Sequence, residues 1–161
     1  RIQYVRVLSK PQAQPPSIRY NGTGAVTKAG DDSVDTPEQA LKVLAESKNL
    51  EAKQKAVEVL AATKSDVAIL ALTMALEDPA PEVKAAAIEG LTALGARAAL
   101  PQILSALKDA HPGVRQSAIM AVSLLGDAES VKYLRPLSRD PDGSVAAAAE
   151  MAIRKLSTRH P

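Results

Sequence analysis

The sequence predicts an all-α protein, a right-handed solenoid of stacked helix pairs that follows a short extended arm. Three observations carry that expectation. From residue 47 onward the chain repeats with a fixed period of 31 residues, the signature of a stacked-repeat architecture. The 161 residues include 30 Ala and 3 Tyr but no Phe, Trp or Cys, so any core must be aliphatic and its helices close together. Each repeat also opens on residues that start helices, Asn, Asp or Pro, and two of them close the first helix on Gly.

Residues 1–34 and 35–161 differ in composition and are read as two parts. The first holds five basic and two acidic residues, a net +3, whereas the second holds 15 basic and 16 acidic, a net −1. All of the chain's net positive charge therefore sits on the arm. Ile2 to Leu8 is rich in β-branched residues and predicts a short strand. Pro11, Pro15 and Pro16 then interrupt regular structure and favour extended backbone. Ser17 to Tyr20 and Ala25 to Thr27 flank Asn21-Gly22, which predicts a tight hairpin turn. An isolated hairpin is marginal in water, so the arm is expected to be mobile or docked, in one reading as a homodimer contact. Asn21-Gly22-Thr23 also fits a glycosylation triplet, a pattern that recurs by chance.

Asp35-Thr36-Pro37-Glu38 predicts a helix start with a cap and a first-turn proline. Residues 36–46 then read as an orphan second helix capping the N-terminal end. Three full repeats follow, marked by the columns Ala56, Ala87, Ala118 and Leu60, Leu91, Val122. First helices start at a cap column of Asn49, Ala80, His111 and Asp142. Pro81 and Pro112 stand at the next position, where a missing N–H costs nothing. Gly95 and Gly126 are expected to be left-handed C-caps. Second helices are expected from about Ser65 to Glu77, Ala96 to Lys108 and Asp127 to Ser138. Residues 143–156 form a final first helix. The total is eight helices, about four 31-residue pairs with a half-repeat cap at each end.

The stretch from Asp78 through Pro79, Pro81, Val83, Ala87 and Leu91 to Gly95 resembles the short HEAT repeat in its phycobilisome-lyase-like form. Asp109-Ala110-His111-Pro112 and Gly126-Asp127-Ala128-Glu129 restate the theme, and the resemblance covers about residues 47–156. Ser47 to Leu50 departs from its Asp-Pro pattern. The resemblance implies an α-solenoid that acts as an interaction scaffold, with second helices lining a concave face. It also implies that the basic column Lys53, Lys84 and Arg115, broken by Ala146, bridges to acidic residues at neighbouring turns. Some members of the subgroup handle bilin chromophores, which is the alternative function.

Chemistry-bearing motifs are sparse. His111 falls in a cap column and His160 in the last residues, neither with a nucleophile or carboxylate at a motif spacing. Asn21 to Ala25 lacks the features of a phosphate loop. No catalytic, cofactor or metal residue is therefore assigned. A nucleic-acid partner is disfavoured, because the solenoid is slightly acidic and its one aromatic is Tyr133. No apolar run reaches the ~18 residues of a membrane span. The expected function is non-enzymatic binding of a peptide or protein, through Met74, Gln102, Ser105, Lys132, Tyr133 and Arg135. Helical phase puts Ile69, Leu72, Leu76, Ile103 and Leu134 inward. It puts Ala40, Ala71, Val43 and Pro136 outward beside the six binding residues. The compartment stays open between the cytoplasm and, given a signal or anchor before Arg1, an extracytoplasmic space.

Overall fold

The computed structural model describes residues 19–20, 26–27 and 34–158. The chain divides into two compact units, Arg1–Asp31 and Asp32–Pro161. In the first, β1 (Arg19–Tyr20) pairs antiparallel with β2 (Val26–Thr27). Tyr20 faces Val26, so the register encloses residues 21–25. The tight turn expected at Asn21-Gly22 lies outside the described residues. The strand expected at residues 2–8 lies outside the described residues.

The described residues of the second unit form helices joined by short turns. The helices are α1 (Pro37–Glu46), α2 (Leu50–Thr63), α3 (Asp66–Ala75), α4 (Pro81–Ala93), α5 (Leu100–Ala106), α6 (Pro112–Leu125), α7 (Val131–Leu134) and α8 (Gly143–Ser157). These eight form three complete pairs between two half pairs. The first helices α2, α4, α6 and α8 pack on one another in a row, and each second helix lies against at least one of them. Ala56, Ala87, Ala118 and Ala149 are wholly buried along that row. A methyl side chain lets helix axes approach closely, which is why this column accepts nothing larger. Leu60, Leu72, Ile88, Leu91, Ile103 and Leu134 fill the seams between the two layers.

The helix starts follow local chemistry. Thr36 and Gln39 form a capping box that spans Pro37, and the neighbouring Val34 is buried. Asn49 and Asp142 accept from two backbone N–H groups each, His111 accepts through Nδ1 from Gly113, and Ala80 makes no side-chain cap. Below the cap column runs an aspartate column. Asp78, Asp109 and Asp140 each accept, through Oδ1, the N–H two residues on at 2.9 Å.

The same aspartates join the repeats. Lys84 Nζ donates to Asp109 Oδ2 at 2.8 Å, Arg115 grips Asp140 with Nε and Nη2 at 2.9 and 2.7 Å, and Lys53 reaches Asp78 likewise. Arg115 Nη1 also donates to the carbonyls of Asp109 and Ala110 at 3.0 Å. The basic column is thus an inter-repeat ladder, with its partners 25 residues further along the chain. The Arg115 hydrogen bond holds the Asp140 carboxyl below its ordinary value of 3.8. Burial raises that of Asp109, but the bonds from Lys84 and the His111 N–H outweigh it, and the net direction is down.

A lowered folded-state pKa means that the unfolded chain takes up protons first as pH falls. This stability is complete above the unfolded value and is lost as pH drops through the folded one. The melting temperature should therefore stay flat from pH 7 to about 5 and fall steeply below about 4. In Arg115→Met the fall should be shallower, because Asp140 loses its main stabilising bond. An identical pH profile in the variant would disprove the ladder's share.

Three expectations need correction. The second helix of the third pair is not continuous: 3₁₀ turns at Ala128–Ser130 and Arg135–Arg139 flank the single α-turn of α7. Pro136 has no N–H to donate and its ring crowds the carbonyl four residues back, so the α-pattern cannot pass it. The second helix of the middle pair likewise starts as a 3₁₀ turn at Arg97–Ala99, before Pro101 opens the first α-turn of α5. The third correction concerns Gly126, which is extended at φ −78°, ψ 179° and is not left-handed.

Glycine at 126 answers to space. A Cβ there would stand 2.6 Å from the Val122 carbonyl oxygen and 2.7 Å from Ser130 Oγ. Gly95 is left-handed at φ +66°, and in the same register position of the preceding repeat Lys64 adopts φ +49°. Two of the three residues in this column are therefore left-handed, and the third is extended. Lys64→Gly should stabilise the protein by about 0.5–1 kcal/mol, since an L side chain is strained there. Gly95→Ala should cost about 1 kcal/mol, and Gly126→Ala more, through overlap. Chemical denaturation of the three variants checks the order.

Candidate second-helix interface

The surface of interest is formed by α1, α3, α5 and the segment 128–139, the second-helix layer. All six residues expected to bind, Met74, Gln102, Ser105, Lys132, Tyr133 and Arg135, are exposed. They fall on three successive second helices. Lys132 and Tyr133 meet directly, the ammonium lying 5.1 Å from the ring centroid, within the range of a cation–π contact. Lys132 also stands 4.0 Å from Glu129, with both side chains largely in solvent, a pair of little energetic weight. Ser105 Oγ donates back to the Pro101 carbonyl at 3.3 Å.

The inward column is as expected at Leu72, Leu76, Ile103 and Leu134, all buried, with Ile69 and Leu100 half-buried. The outward column is not. Helical phase alone puts Ala40, Ala71 and Val43 at the surface, but all three are buried. At this end α1 packs on both α2 and α3, and short side chains sink below their longer neighbours. Ala40 and Ala71 thus floor the layer, whereas the equivalent Gln102 and Tyr133 stand clear of it.

The structure also places on this face an apolar stripe that the repeat columns do not single out. Val67, Leu70 and Met74 are 58, 63 and 69% exposed, and their spacing puts them on one side of α3. The signal is present in the sequence as a helical i, i+3, i+7 pattern. It is masked by the usual rule that apolar periodicity on an amphipathic helix points to the core. Beside the stripe, a groove of about 340 Å³ opens between α1 and α3, lined by Leu41, Leu44, Ala71, Met74 and the Glu77–Pro79 turn. On the first-helix side, Met120, Leu124 and Met151 are also exposed. There Glu150 and Arg154 of α8 occupy the places that the buried Ile119 and Ser123 hold in α6, giving the last helix the polar outer side that a stack of repeats requires.

Among the described residues no group of three or more His, Cys, Asp or Glu stands together as a metal site. Among the same residues, no helix is long and apolar enough to cross a membrane. The buried hydroxyl of Ser130 is committed to the Asp127 cap, and the Ser130 bond in turn lowers the Asp127 pKa.

Fold and face together define an α-solenoid built of helical hairpins. A family model for HEAT repeats matches residues 69–154, and the chain belongs to the HEAT-repeat family. No curated protein matches this sequence. Among solved structures, human deoxyhypusine hydroxylase in complex with glycerol is similar at a TM-score of 0.66 and 26% identity, over 75% of this chain and 43% of that one. The complex of CpcE and CpcF of phycocyanin lyase from Nostoc sp. PCC7120 gives 0.57 and 20%, over 83% and 69%. An engineered protein gives 0.54 and 21%, over 75% and 62%. The last two likenesses concern the fold alone, and this chain spans less than half the length of the hydroxylase.

Proposed function

We propose that this chain is a non-enzymatic scaffold that binds a peptide or protein segment on its second-helix face, through Met74, Gln102, Ser105, Lys132, Tyr133 and Arg135. One observation carries the proposal. The six side chains are exposed on successive second helices, in register, beside an unfilled apolar stripe. Tyr and Arg concentrate binding energy because they combine large contact area with directional hydrogen bonds. Met adapts its shape to varied apolar surfaces.

Catalysis has no place in the proposal because the groups that would perform it are otherwise engaged. His111 Nδ1 caps a helix, and the ladder aspartates hold turns and cations. A chromophore-handling role has only the likeness of fold behind it, and absorbance after incubation with a bilin tests that alternative.

The direct test uses the partner recovered from source cells by cross-linking and mass spectrometry. A Tyr133→Ala/Arg135→Ala double variant should lose about 30-fold or more in affinity, the loss expected of a hot-spot pair. Both side chains are exposed, so its melting temperature should barely change. Full affinity in the variant would remove these residues from the interface.

A further inference from the structure

The second-helix face has a charge polarity that its helices do not need. Positions 46, 77, 108 and 139 share one register position, at the C-terminal end of each second helix in turn, and read Glu, Glu, Lys, Arg. All four are exposed. A helix C-terminus favours cations, so Lys108 and Arg139 suit their places. Glu46 and Glu77 oppose theirs, and the last turns of α1 and α3 contain no basic residue to offset them. The asymmetry extends over the layer. Residues 34–46 and 65–77 together carry a net −4, and residues 96–108 and 127–139 a net +3. The groove lies at the acidic end, where Met74, Leu41 and Leu44 meet Glu77 and the Lys53–Asp78 ion pair.

Deepening the second-helix-face reading, on which this inference rests, we propose that the face takes an extended protein segment with a basic–apolar–acidic charge order. Its apolar side chain enters the α1–α3 groove. A neighbouring Lys or Arg faces Glu46 and Glu77, and an Asp or Glu further along faces Lys108, Lys132 and Arg139. Helices packed side by side lie ~8–10 Å apart, so the face spans roughly 25–30 Å from α1 to the 128–139 segment. An extended chain covers that in about eight or nine residues at ~3.3 Å each. The opposed charges at the two ends fix direction and register and reject partners of uniform sign. A polyanion such as nucleic acid is repelled by the α1–α3 half.

The test pans a phage-displayed library of random 12-residue peptides against the full chain. Enriched peptides should share an apolar residue flanked on one side by Lys or Arg, with Asp or Glu several residues along. As synthetic peptides they should bind at least tenfold more weakly to a Glu46→Lys/Glu77→Lys variant and to Leu70→Glu/Met74→Glu. The first variant improves the match to the helix dipole, so its loss of binding cannot be laid to unfolding. Circular dichroism verifies the second. Peptides of the reverse or of no charge order, peptides bound equally by the charge-reversed variant, or the absence of enrichment would each overturn the inference. Peptides that ignore Glu46→Lys/Glu77→Lys but fail on Tyr133→Ala/Arg135→Ala overturn the polarity and leave the broader face reading standing. Binding that appears only on dilution of a dimer makes a second copy the occupant and overturns the proposal.

Discussion

Replacing Ala118 by Phe is expected to lower stability by about 3 kcal/mol or more, because a large side chain would be forced into a close-packed helix contact. Ala118 is wholly buried in α6, midway along the row of first helices, with Ala87 and Ala149 at the equivalent points on either side. A phenyl ring in that column must part α6 from α4 or α8. The damage would not stay local, since each helix pair depends on its neighbours to bury its apolar face. Urea unfolding should show a lower midpoint, with the slope reduced if the stack separates into independently melting ends. A wild-type midpoint would contradict the column assignment.

Leu72→Ala should cost about 2–5 kcal/mol, whereas Leu70→Ala, two positions earlier on the same helix, should change stability by less than about 0.5 kcal/mol. Leu72 is fully buried and Leu70 is 63% exposed. The Leu72 site has a further property. A Cβ on Gly90 would lie 3.1 Å from Leu72 Cδ1 and 3.3 Å from Ala61 Cβ. The Gly90 position is therefore crowded in the wild type and relieved when Leu72 is shortened. Gly90→Ala should recover part of the loss in the Leu72→Ala background, since Ala also favours a helix interior over Gly by about 1 kcal/mol. A double-mutant cycle with no favourable coupling would show that the two side chains do not share one space.

These two sites show what periodicity can reveal. A 31-residue column reports equivalence: Ala56, Ala87, Ala118 and Ala149 stand in the same environment, as their spacing predicts. Equivalence fails where one repeat meets something its siblings do not. Ala40 and Ala71 share a column with Gln102 and Tyr133, yet the first two are buried at the end where α1 packs on α2 and α3. Lys64, Gly95 and Gly126 share a column, yet the first two are left-handed and the third is extended. In the last pair Pro136 breaks a helix that the apolar pattern runs straight through. Local chemistry is legible wherever it is short-range, as in the caps at Thr36, Asn49 and Asp142. It is misjudged where a neighbouring side chain such as Ser130 decides the outcome.

The candidate face is legible to the same degree. Exposure of Met74, Gln102, Ser105, Lys132, Tyr133 and Arg135 follows from helical phase. The extension of that surface through Val67 into one exposed apolar stripe does not, because the apolar side of a helix reads the same in sequence whether or not another element covers it.

By itself the sequence determined the repeat length, the eight helices and the alanine row, and its resemblance to HEAT repeats implied that Lys53, Lys84 and Arg115 bridge neighbouring repeats. Each of these depends on contacts that recur at a constant chain separation, so they leave a periodic trace. Only the tertiary structure decided which apolar side chains stay in water, where the groove opens between α1 and α3, and why Gly126 must be glycine. Those depend on single neighbours brought close by folding, for which one sequence holds no repeated signal.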